Sequence, residues 1–412
     1  MIKTLTAALM ALLFASDAHA ETLVVGRDAP TVQATLDAAQ PGDTVELPAG
    51  TWTGPATITK TLTLRGTGGV LDGNHDGTVL RVEAPGVVVD TLTIRRSGAD
   101  LRGPDSCIWL AEQATASVIK NSTLSECAFG IWLNKVRDAK ILDNRIHGAA
   151  TGHRSNRGNG IQLFDSRGLL VKGNYITDGR DGIYVSATVH STIEHNRAER
   201  TRYGVHYMFS YDNTVRHNVM ADNGSGFALM GSLRIVVHDN VARDNEAHGV
   251  LLRDVQFSTI RDNDLSGNGE GLFMYSSTEN TITDNRIAGN AVGAKVWAGS
   301  KRNRVSGNAF IGNRRQVFYV STQDLVWGTD APGNFWGDYL GWDQDGDGIG
   351  DRPYEVDSFS AHMVHKYPAA ALLLRSPALE LLGHLEARMP LLAVPTVVDR
   401  RPMMKRKQRE VL

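Results

Sequence analysis

The chain has 412 residues, of which 42 are glycine, 21% are charged and 42% are hydrophobic. A chain of this length usually divides into two or three domains, and its hydrophobic content excludes a disordered protein. The formal net charge of −2 argues against nucleic-acid binding, because that function needs a clustered basic surface. Glycine without the every-third period of collagen indicates frequent sharp turns, which suggests a repeat protein.

The N-terminus, residues 1–20, is typical of a cleaved secretory signal peptide. Lys3 precedes an apolar run from Leu5 to Phe14, and Ala18-His19-Ala20 is a small-residue cleavage pattern. A membrane anchor is the alternative, but a bilayer span needs about 20 apolar residues. We therefore expect an exported protein that begins at Glu21 and is periplasmic in a Gram-negative host.

An asparagine recurs along most of the chain, usually at intervals of 22 or 23 residues. A β-branched residue stands three positions before each asparagine, and apolar residues alternate after a recurring glycine, which indicates strands with one buried face. One interval is 30 residues long and contains 151–159, which we interpret as an inserted loop. The recurring asparagines are Asn121, Asn144, Asn174, Asn196, Asn218, Asn240, Asn263, Asn285 and Asn308.

Short strands with this fixed period indicate a solenoid, and two types of solenoid share the length. A leucine-rich repeat needs a leucine ladder and a helical segment in each unit, and leucine is not the dominant inward residue here. We therefore predict an all-β parallel β-helix over residues 21–330, whose asparagines stack about 4.8 Å apart on successive coils. Helical spacing in Thr31–Ala39 predicts an N-terminal capping helix.

The most specific motif is Gly-Asn-Phe-Trp-Gly-Asp-Tyr-Leu-Gly-Trp-Asp-Gln-Asp-Gly-Asp-Gly-Ile-Gly-Asp-Arg-Pro-Tyr, from Gly333 to Tyr354. With the N-terminal pattern and the asparagine-anchored coils, it resembles the NosD family, whose fold is the right-handed β-helix shared by carbohydrate-binding proteins and sugar hydrolases. The resemblance covers the signal peptide, the coils and this motif. It implies a periplasmic protein that docks on the membrane subunit of an ABC transporter and supports copper-site assembly in nitrous-oxide reductase. It also implies a docking platform for the copper carrier and the reductase, which is membrane-associated through its partner.

The region 331–368 contains an acidic loop. Its aspartates have the spacing of the front half of a calcium loop, with Gly348 at the turn, but Tyr354 stands where such a loop has a bidentate glutamate. We expect a structural Ca²⁺ or Mg²⁺; the alternative is an Asx-turn loop whose carboxylates accept from backbone amides. The candidate ligands are Asp343, Asp345, Asp347 and Asp351.

The outward positions of the predicted strands, two and four residues after each glycine, are rich in aromatic residues and methionine. An exposed apolar sheet face usually binds a partner or a ligand. The alternative is that a loop or the C-terminal segment covers it. The candidates for a partner surface are Trp132, Tyr184, Phe273, Tyr275 and Trp297.

Three groups of side chains offer imidazole and thioether donors, which suit Cu(I). Two of the groups lie on neighbouring predicted coils, and the third lies in the C-terminal region. In each case the alternative is an ordinary packed or surface side chain. The copper candidates are His206, Met208 and Met230; His362, Met363 and His365; and His195 and His217, with His238 and Asp239 on the next coil.

The two cysteines, Cys107 and Cys127, are 20 residues apart, which is nearly one coil. In an oxidising compartment this offset favours a disulfide. Ligation of copper by the pair is the alternative.

The C-terminal region 369–412 changes character. Ala369–Met389 carries leucines at helical spacing, and a basic tail follows from Arg400. We predict a helical extension that lies at a membrane surface or docks on a membrane partner. The alternative is a helix that caps the last coil, followed by a disordered tail.

An enzyme that cleaves acidic polysaccharides is the main alternative function, because β-helices of this type do so with paired carboxylates or with a carboxylate and a lysine or arginine. The outward positions contain no tight Asp-Asp or Lys-Asp pair. We therefore expect no enzymatic activity, although the fold alone does not decide this.

Overall fold

The computed structural model describes residues 20–149, 152–297, 299–320, 325–328, 332–356 and 397–406. The predicted signal peptide, except its last residue, and most of the predicted helical extension lie outside the described residues. The copper candidates His362, Met363 and His365 also lie outside them.

Within the described residues the strands form three sheets, which we call sheets 1, 2 and 3 in decreasing order of size. Sheet 1 contains Thr22–Val24, Thr44–Thr53, Thr63–Asp72, Val88–Asp90, Thr93–Arg95, Val118–Lys120, Thr123–Cys127, Lys140–Leu142, Arg145–Gly148, Leu170–Lys172, Tyr175–Thr177, Thr192–Glu194, Arg197–Glu199, Thr214–Arg216, Val219–Ala221, Val236–His238, Val241–Arg243, Thr259–Arg261, Asp264–Ser266, Thr281–Thr283, Arg286–Ala288, Arg304–Ser306, Ala309–Ile311 and Phe335–Trp336. Sheet 2 contains Ala56–Ile58, Leu80–Val82, Ser106–Leu110, Phe129–Asn134, Ile161–Phe164, Asp181–Ser186, Tyr203–Met208, Ser225–Met230, His248–Arg253, Glu270–Tyr275, Val292–Val296 and Arg315–Tyr319. Sheet 3 contains Leu325–Trp327, Tyr354–Val356 and Val397–Asp399.

Each regular coil places one strand in sheet 2 and two short strands in sheet 1, and each strand pairs in parallel with its equivalent on the next coil. The predicted all-β parallel β-helix is therefore confirmed. The β-branched residues that precede the asparagines stack in one buried interior row, and burial of each aliphatic side chain stabilises the fold by about 1.5 to 3 kcal/mol. This row comprises Ile141, Val171, Ile193, Val215, Val237, Ile260, Ile282 and Val305.

The asparagines form a ladder at the turn between the two strands of sheet 1. Both the backbone N and the Nδ2 of Asn218 donate to Oδ1 of Asn240, at 3.0 and 2.9 Å, and Nδ2 also donates to the carbonyl of Ile193. The same side-chain bonds connect successive coils from Asn144 to Asn334. The prediction was wrong for Asn121, which is exposed, because Ser122 takes the ladder position and its backbone N donates to Asn144.

The far end of the solenoid lies beyond the predicted boundary at residue 330. Phe335–Trp336 continues sheet 1, and Val397–Asp399 pairs in parallel with Leu325–Trp327 and antiparallel with Tyr354–Val356. The prediction that residues 369–412 form only a helical segment and a tail is therefore wrong for Val397–Asp399. These three residues are a strand because their pairing partners lie far away in sequence.

Two short helical segments occur in the described parts of the chain. The helix Val32–Ala38 begins after Thr31, whose Oγ1 accepts from the backbone N of Ala34 at 3.1 Å, and it buries Val32 and Leu36. Its role as a cap stays a prediction. The inserted loop contains a 3₁₀ turn, Arg154–Asn156. No helix in these parts of the chain has the length and apolarity needed to cross a membrane.

Candidate functional site

The outer face of sheet 2 brings His206, Met208 and Met230 onto adjacent coils. Met208 is the register partner of Met230, and His206 is the register partner of Ala228. Because side chains alternate along a strand, His206 and Met208 lie on the same face. The two methionines are half-buried, and Ala228 places only a methyl group beside the imidazole. The nitrogen and sulfur donors therefore adjoin one another on this face.

His206 is held by Asp181 from the preceding coil. Its Nδ1 lies 2.9 Å from Oδ2 of Asp181, and Arg202 donates to both carboxylate oxygens at 2.9 and 2.7 Å. Burial alone would raise the pKa of Asp181, but hydrogen bonds from His206 and Arg202 outweigh burial and hold this pKa below its ordinary value. The ionised carboxylate therefore keeps a proton on Nδ1 of the imidazole.

The second ring nitrogen of His206, Nε2, is buried and has no hydrogen-bond partner among the described residues. Metal-binding histidines usually donate one nitrogen to a carboxylate, which fixes the tautomer and leaves the other nitrogen as the ligand. His206 has this arrangement. Although it stands at an outward strand position, only 5% of the residue is exposed, because the rings of Tyr184 and Tyr203 pack edge-on against it.

A second charged cluster lies further along the same face. Oε1 of Glu270 accepts from Nζ of Lys295 at 2.7 Å, and Oε2 lies 3.3 Å from Nε2 of His248. Burial alone would raise the pKa of Glu270, but the contacts with His248 and Lys295 hold it below its ordinary value. The outward positions contain no Asp-Asp or Lys-Asp pair, as expected, but this Lys-Glu pair reaches the same face from a position directly before the recurring glycine.

Sequence reasoning missed these titratable residues because of their position. Asp181, His248 and Glu270 each stand directly before the recurring glycine, whereas only the second and fourth positions after it were considered. Their side chains nevertheless contribute to the same outer face, because Asp181 pairs with Arg202 and His206, and Glu270 pairs with Lys295. A titratable residue directly before the recurring glycine was the signal in the sequence that could have identified these positions.

The second pair of copper candidates lies at the turn before the asparagine ladder. The rings of His195 and His217 are stacked, with centroids 4.9 Å and planes 18° apart, and both residues are exposed. Nδ1 of the neighbouring His238 lies 2.6 Å from a carboxylate oxygen of Asp239. In stacked rings the nitrogen lone pairs point side by side instead of converging, and these residues do not bring three ligand atoms together in the described structure.

The predicted partner surface is only partly exposed. Tyr275 is 37% exposed, whereas the other four candidates, Trp132, Tyr184, Phe273 and Trp297, are half-buried. Their aromatic rings pack over neighbouring side chains of the sheet, as Trp132 does on Phe129 with centroids 4.8 Å apart.

More exposed aromatic residues lie at the end of a sheet 2 strand or in the turn that follows such a strand. Phe164 is 40% exposed, and Phe209 and Phe257 are each 57% exposed. Phe209 and Phe257 have φ of +50° and +52°, a left-handed conformation that bulky residues rarely adopt. Polar or small residues hold the equivalent positions on other coils, such as Gly231 beside Phe209. A phenylalanine at a turn position that is polar or small on other coils was a signal in the sequence, but only outward strand positions were considered.

The acidic loop brings together three of its four candidates. Oxygen atoms of Asp343, Asp345 and Asp347 lie within 4.8 Å of one another. Asp343 also accepts from the backbone N of Gly346 and Gly348, at 2.7 and 2.9 Å, as in the Asx-turn alternative. Asp351 accepts from the backbone N of Gln344 at 2.7 Å. The loop is thus closed by its own amides, with three carboxylates exposed or half-buried at its tip.

Cys107 and Cys127 form a disulfide in the structure, with Cα atoms 5.5 Å apart. Both residues are buried, at the transition from sheet 2 to sheet 1. Neither sulfur is therefore a free thiol that could ligate copper in this state.

The comparisons with solved structures concern the fold. The chain is similar to a family 28 exopolygalacturonase of Yersinia enterocolitica, with a TM-score of 0.59, 13% identity, and coverage of 74% of this chain and 77% of that chain. It is also similar to an exopolygalacturonase of Thermotoga maritima, with a TM-score of 0.52, 12% identity, and coverage of 70% and 87%. At such low identity, these similarities show the shared β-helix and no shared activity.

The comparisons with sequences are more specific. A family model described as "Periplasmic copper-binding protein (NosD)" matches residues 146–341. A protein of Pseudomonas aeruginosa named "Probable ABC transporter binding protein NosD" is 38% identical over 374 residues, which cover 87% of each chain. A protein of Stutzerimonas stutzeri with the same name is 35% identical and covers 87% of this chain and 86% of its own. This protein belongs to the NosD family.

Proposed function

We propose that the protein is a periplasmic accessory component of an ABC transporter complex that supports copper-site assembly in nitrous-oxide reductase. In this proposal His206, Met208 and Met230 hold Cu(I) transiently. The observation that carries the proposal is the Asp181-held imidazole of His206, with Nε2 unbonded, beside two methionines in register. The copper-binding description of the family and the transporter-related names of the relatives support it.

The donor set suits transfer of copper more than its permanent storage. One imidazole and two thioethers are soft or borderline neutral ligands, which prefer Cu(I). The methionines are half-buried at an outer sheet face, so an incoming protein has access to their sulfur atoms. Exchange of ligands between two proteins then moves the ion without a redox step.

A competition titration against a Cu(I)-specific chromophoric chelator tests the site. The wild-type protein is compared with His206→Gln and with the double variant Met208→Leu/Met230→Leu. We expect each variant to lose at least about tenfold in Cu(I) affinity. His190→Gln, which alters an exposed histidine at a turn of the preceding coil, serves as the control. Unchanged affinity in both site variants would exclude this site, and copper loading of the reductase in cells tests the wider role.

The exposed aromatic residues beside the methionines provide a docking surface in this proposal. Phe164 and Tyr275 lie in the row of sheet 2 that contains Met208 and Met230, two coils away on either side, and Phe209 directly follows Met208. Exposed apolar clusters of this kind usually mark protein interfaces. The copper carrier and the reductase are the proposed occupants, because both must reach the same metal site.

Docking on the transporter is proposed for the segment between Val356 and Val397. These two residues are register partners in an antiparallel pair, so a short turn can join them if the intervening segment is removed. Such an excision keeps the strand Val397–Asp399, which deletion of residues 369–412 would remove. We expect the excised protein to fold but no longer to co-purify with the transporter. Retained co-purification would contradict this assignment.

A structural Ca²⁺ or Mg²⁺ at Asp343, Asp345 and Asp347 is a further part of the proposal. Their oxygen atoms are close enough for one hard cation, although backbone amides already bond to the same groups. Calorimetric titration of chelator-treated protein with Ca²⁺ tests it. If Ca²⁺ produced neither heat nor a rise in melting temperature, a bound ion at this loop would be excluded.

Polysaccharide cleavage is the second candidate function, and the cluster of Glu270, His248 and Lys295 is the observation that favours it. In the structure Glu270 is paired with Lys295 and lies beside His248, and among the described residues no second carboxylate forms an ion pair with this cluster. Activity on a panel of uronate polymers, lost in Glu270→Gln, would establish an enzyme.

A further inference from the structure

Cationic side chains in the strands of sheet 2 follow a consistent pattern. Arg81 lies over the ring of Trp109 and 3.1 Å from Glu83, and Arg253 lies over Tyr275 and 3.9 Å from Asp254. Each of these arginines thus has both an aromatic ring and a carboxylate, and the third cation, Lys295, is similarly paired with Glu270.

Arg315 departs from this pattern. It begins the last strand of sheet 2 and lies over the ring of Phe318, with Cζ 5.1 Å from the ring centroid. No carboxylate lies within ion-pair distance of its guanidinium in the part of the chain that the structure describes. The side chain is nevertheless half-buried, and this burial lowers the pKa of the guanidinium. A partly buried cation without a counter-ion is unfavourable for the isolated protein.

The surroundings of Arg315 would suit an anion with a flat or apolar body. Nζ of Lys295 lies 6.0 Å from the same Phe318 ring, 5.4 Å from Phe273 and 5.3 Å from Trp297. Lys295 is paired with Glu270, so one positive charge, that of Arg315, is left without an ion-pair partner among the described residues. A monoanion neutralises this charge, whereas a dianion would overcompensate it and be repelled by Glu270.

We propose that Arg315 and the half-buried aromatic rings around Lys295 form a binding site for a carboxylate ligand, in which the buried ring of Phe318 supports the guanidinium. The planar fork of the guanidinium pairs with both oxygens of a carboxylate, and the rings contact the body of the ligand. This site is separate from the His206 site and does not depend on copper. The carboxylate comes either from a free organic acid or from an acidic side chain of a partner protein, and both present the same group to Arg315.

The test uses para-bromobenzoate as the free acid, with neutral para-bromobenzamide as its matched control. Calorimetry on the full protein is expected to show binding of the acid alone, at least about tenfold weaker in Arg315→Gln. Arg81→Gln removes an arginine that already has a carboxylate and should not change binding. In soaked crystals, the anomalous signal of bromine should lie near the rings around Lys295.

A second arm uses an acetylated Ala-Glu-Ala peptide amide and its Ala-Gln-Ala counterpart. Tighter binding of the glutamate peptide than of the small acid, again lost in Arg315→Gln, identifies a protein side chain as the source. The reverse order identifies a free acid. The proposal is overturned if neither carboxylate binds, or if Arg315→Gln binds both as well as the wild type does.

The melting temperature of Arg315→Gln shows whether a loss of binding comes from the missing guanidinium or from a misfolded protein. Because the cation has no partner within the described residues, its removal should leave the melting temperature unchanged or raise it. A large fall would show that Arg315 is structural, and it would also contradict the proposal.

Discussion

The carboxylate of Asp399 accepts hydrogen bonds from the backbone N and the Nδ2 of Asn334, at 2.6 and 3.0 Å, and so ends the asparagine ladder. Along the ladder, each asparagine donates to the side-chain oxygen of the next one. The last position therefore needs only an acceptor, and a carboxylate has no hydrogen to donate. Asp399 is fully buried, and the same oxygen also accepts from Nε1 of Trp336 at 3.0 Å.

Replacement of Asp399 tests this end of the solenoid. Asp399→Ala leaves three buried donors unsatisfied, so we expect a loss of about 3 kcal/mol of stability. Asp399→Asn keeps an acceptor and should lose less. Thermal unfolding followed by circular dichroism, with limited proteolysis of residues 332–356, measures both variants. Equal stability of Asp399→Ala and wild type would contradict the role.

A carboxylate suits the end of the ladder but should destabilise its middle. Nδ2 of Asn240 donates to Asn263 and to the carbonyls of Val215 and His238. In Asn240→Asp an acceptor would face three acceptors, so we expect a loss larger than the about 1 to 3 kcal/mol of one unsatisfied buried group. This loss should also exceed that of Asp399→Asn. Asn240→Ala is the control that removes the bonds without adding a charge, and it should be the milder change if the repulsion matters.

Asp181 should act on copper binding through His206 without touching the metal. Asp181→Asn keeps the shape of the side chain but removes the charge that holds the proton on Nδ1 of the imidazole. We expect Cu(I) affinity to fall by about tenfold, as for other partners of metal-binding histidines. The pH dependence of binding should also change, which a merely structural substitution would not cause. Asp178→Asn, which alters a nearby carboxylate paired with Arg200, should leave both properties as they are.

We expect Phe209 to make the folded protein less stable than asparagine would at this position, and to contribute to binding of a partner protein. Its left-handed backbone suits asparagine better than phenylalanine, so Phe209→Asn should stabilise the fold by up to about 1 kcal/mol. Capture of the copper carrier or the reductase should weaken at the same time. Melting temperature and surface plasmon resonance measure the two effects. If the variant is stabilised but binds both partners normally, Phe209 is not part of the interface.

Asp72 should give the protein a sensitivity to acid. The hydrogen bond from Arg96 holds the pKa of this buried carboxyl well below its usual range, and Arg95 donates to it at 2.8 Å. Because the folded-state pKa is depressed, the stabilisation is present above the unfolded pKa of about 4 and is lost as the pH falls below that value. Melting temperatures between pH 5 and pH 2, about the range in which such carboxyls titrate, should fall less steeply in Asp72→Asn than in the wild type.

The repeated part of the fold was predictable because each coil follows local rules. Buried residues such as Ile193 and Val215 stand at a constant distance before Asn196 and Asn218, and this regularity implies stacked strands without knowledge of any distant contact. The prediction erred by one residue at Asn121, since a serine in the next position provides the hydrogen bond at that coil.

The candidate copper donors could be chosen from residue type and coil spacing, but their surroundings could not be predicted. That His206 is buried, and that Asp181 and Arg202 hold it, depends on which side chains meet across neighbouring coils. The absence of a carboxylate near Arg315, in the described parts of the chain, likewise became visible only from cross-coil distances.

By itself, therefore, the sequence determined the solenoid, its period and the chemical types available on its outer face, because these depend on local spacing. Only the tertiary structure decided that Asp399 ends the ladder from 65 residues away and that Arg315 has no counter-ion among the residues it describes. The physical reason is that hydrogen bonds and ion pairs act over a few ångströms, and chain winding alone determines which distant residues come that close.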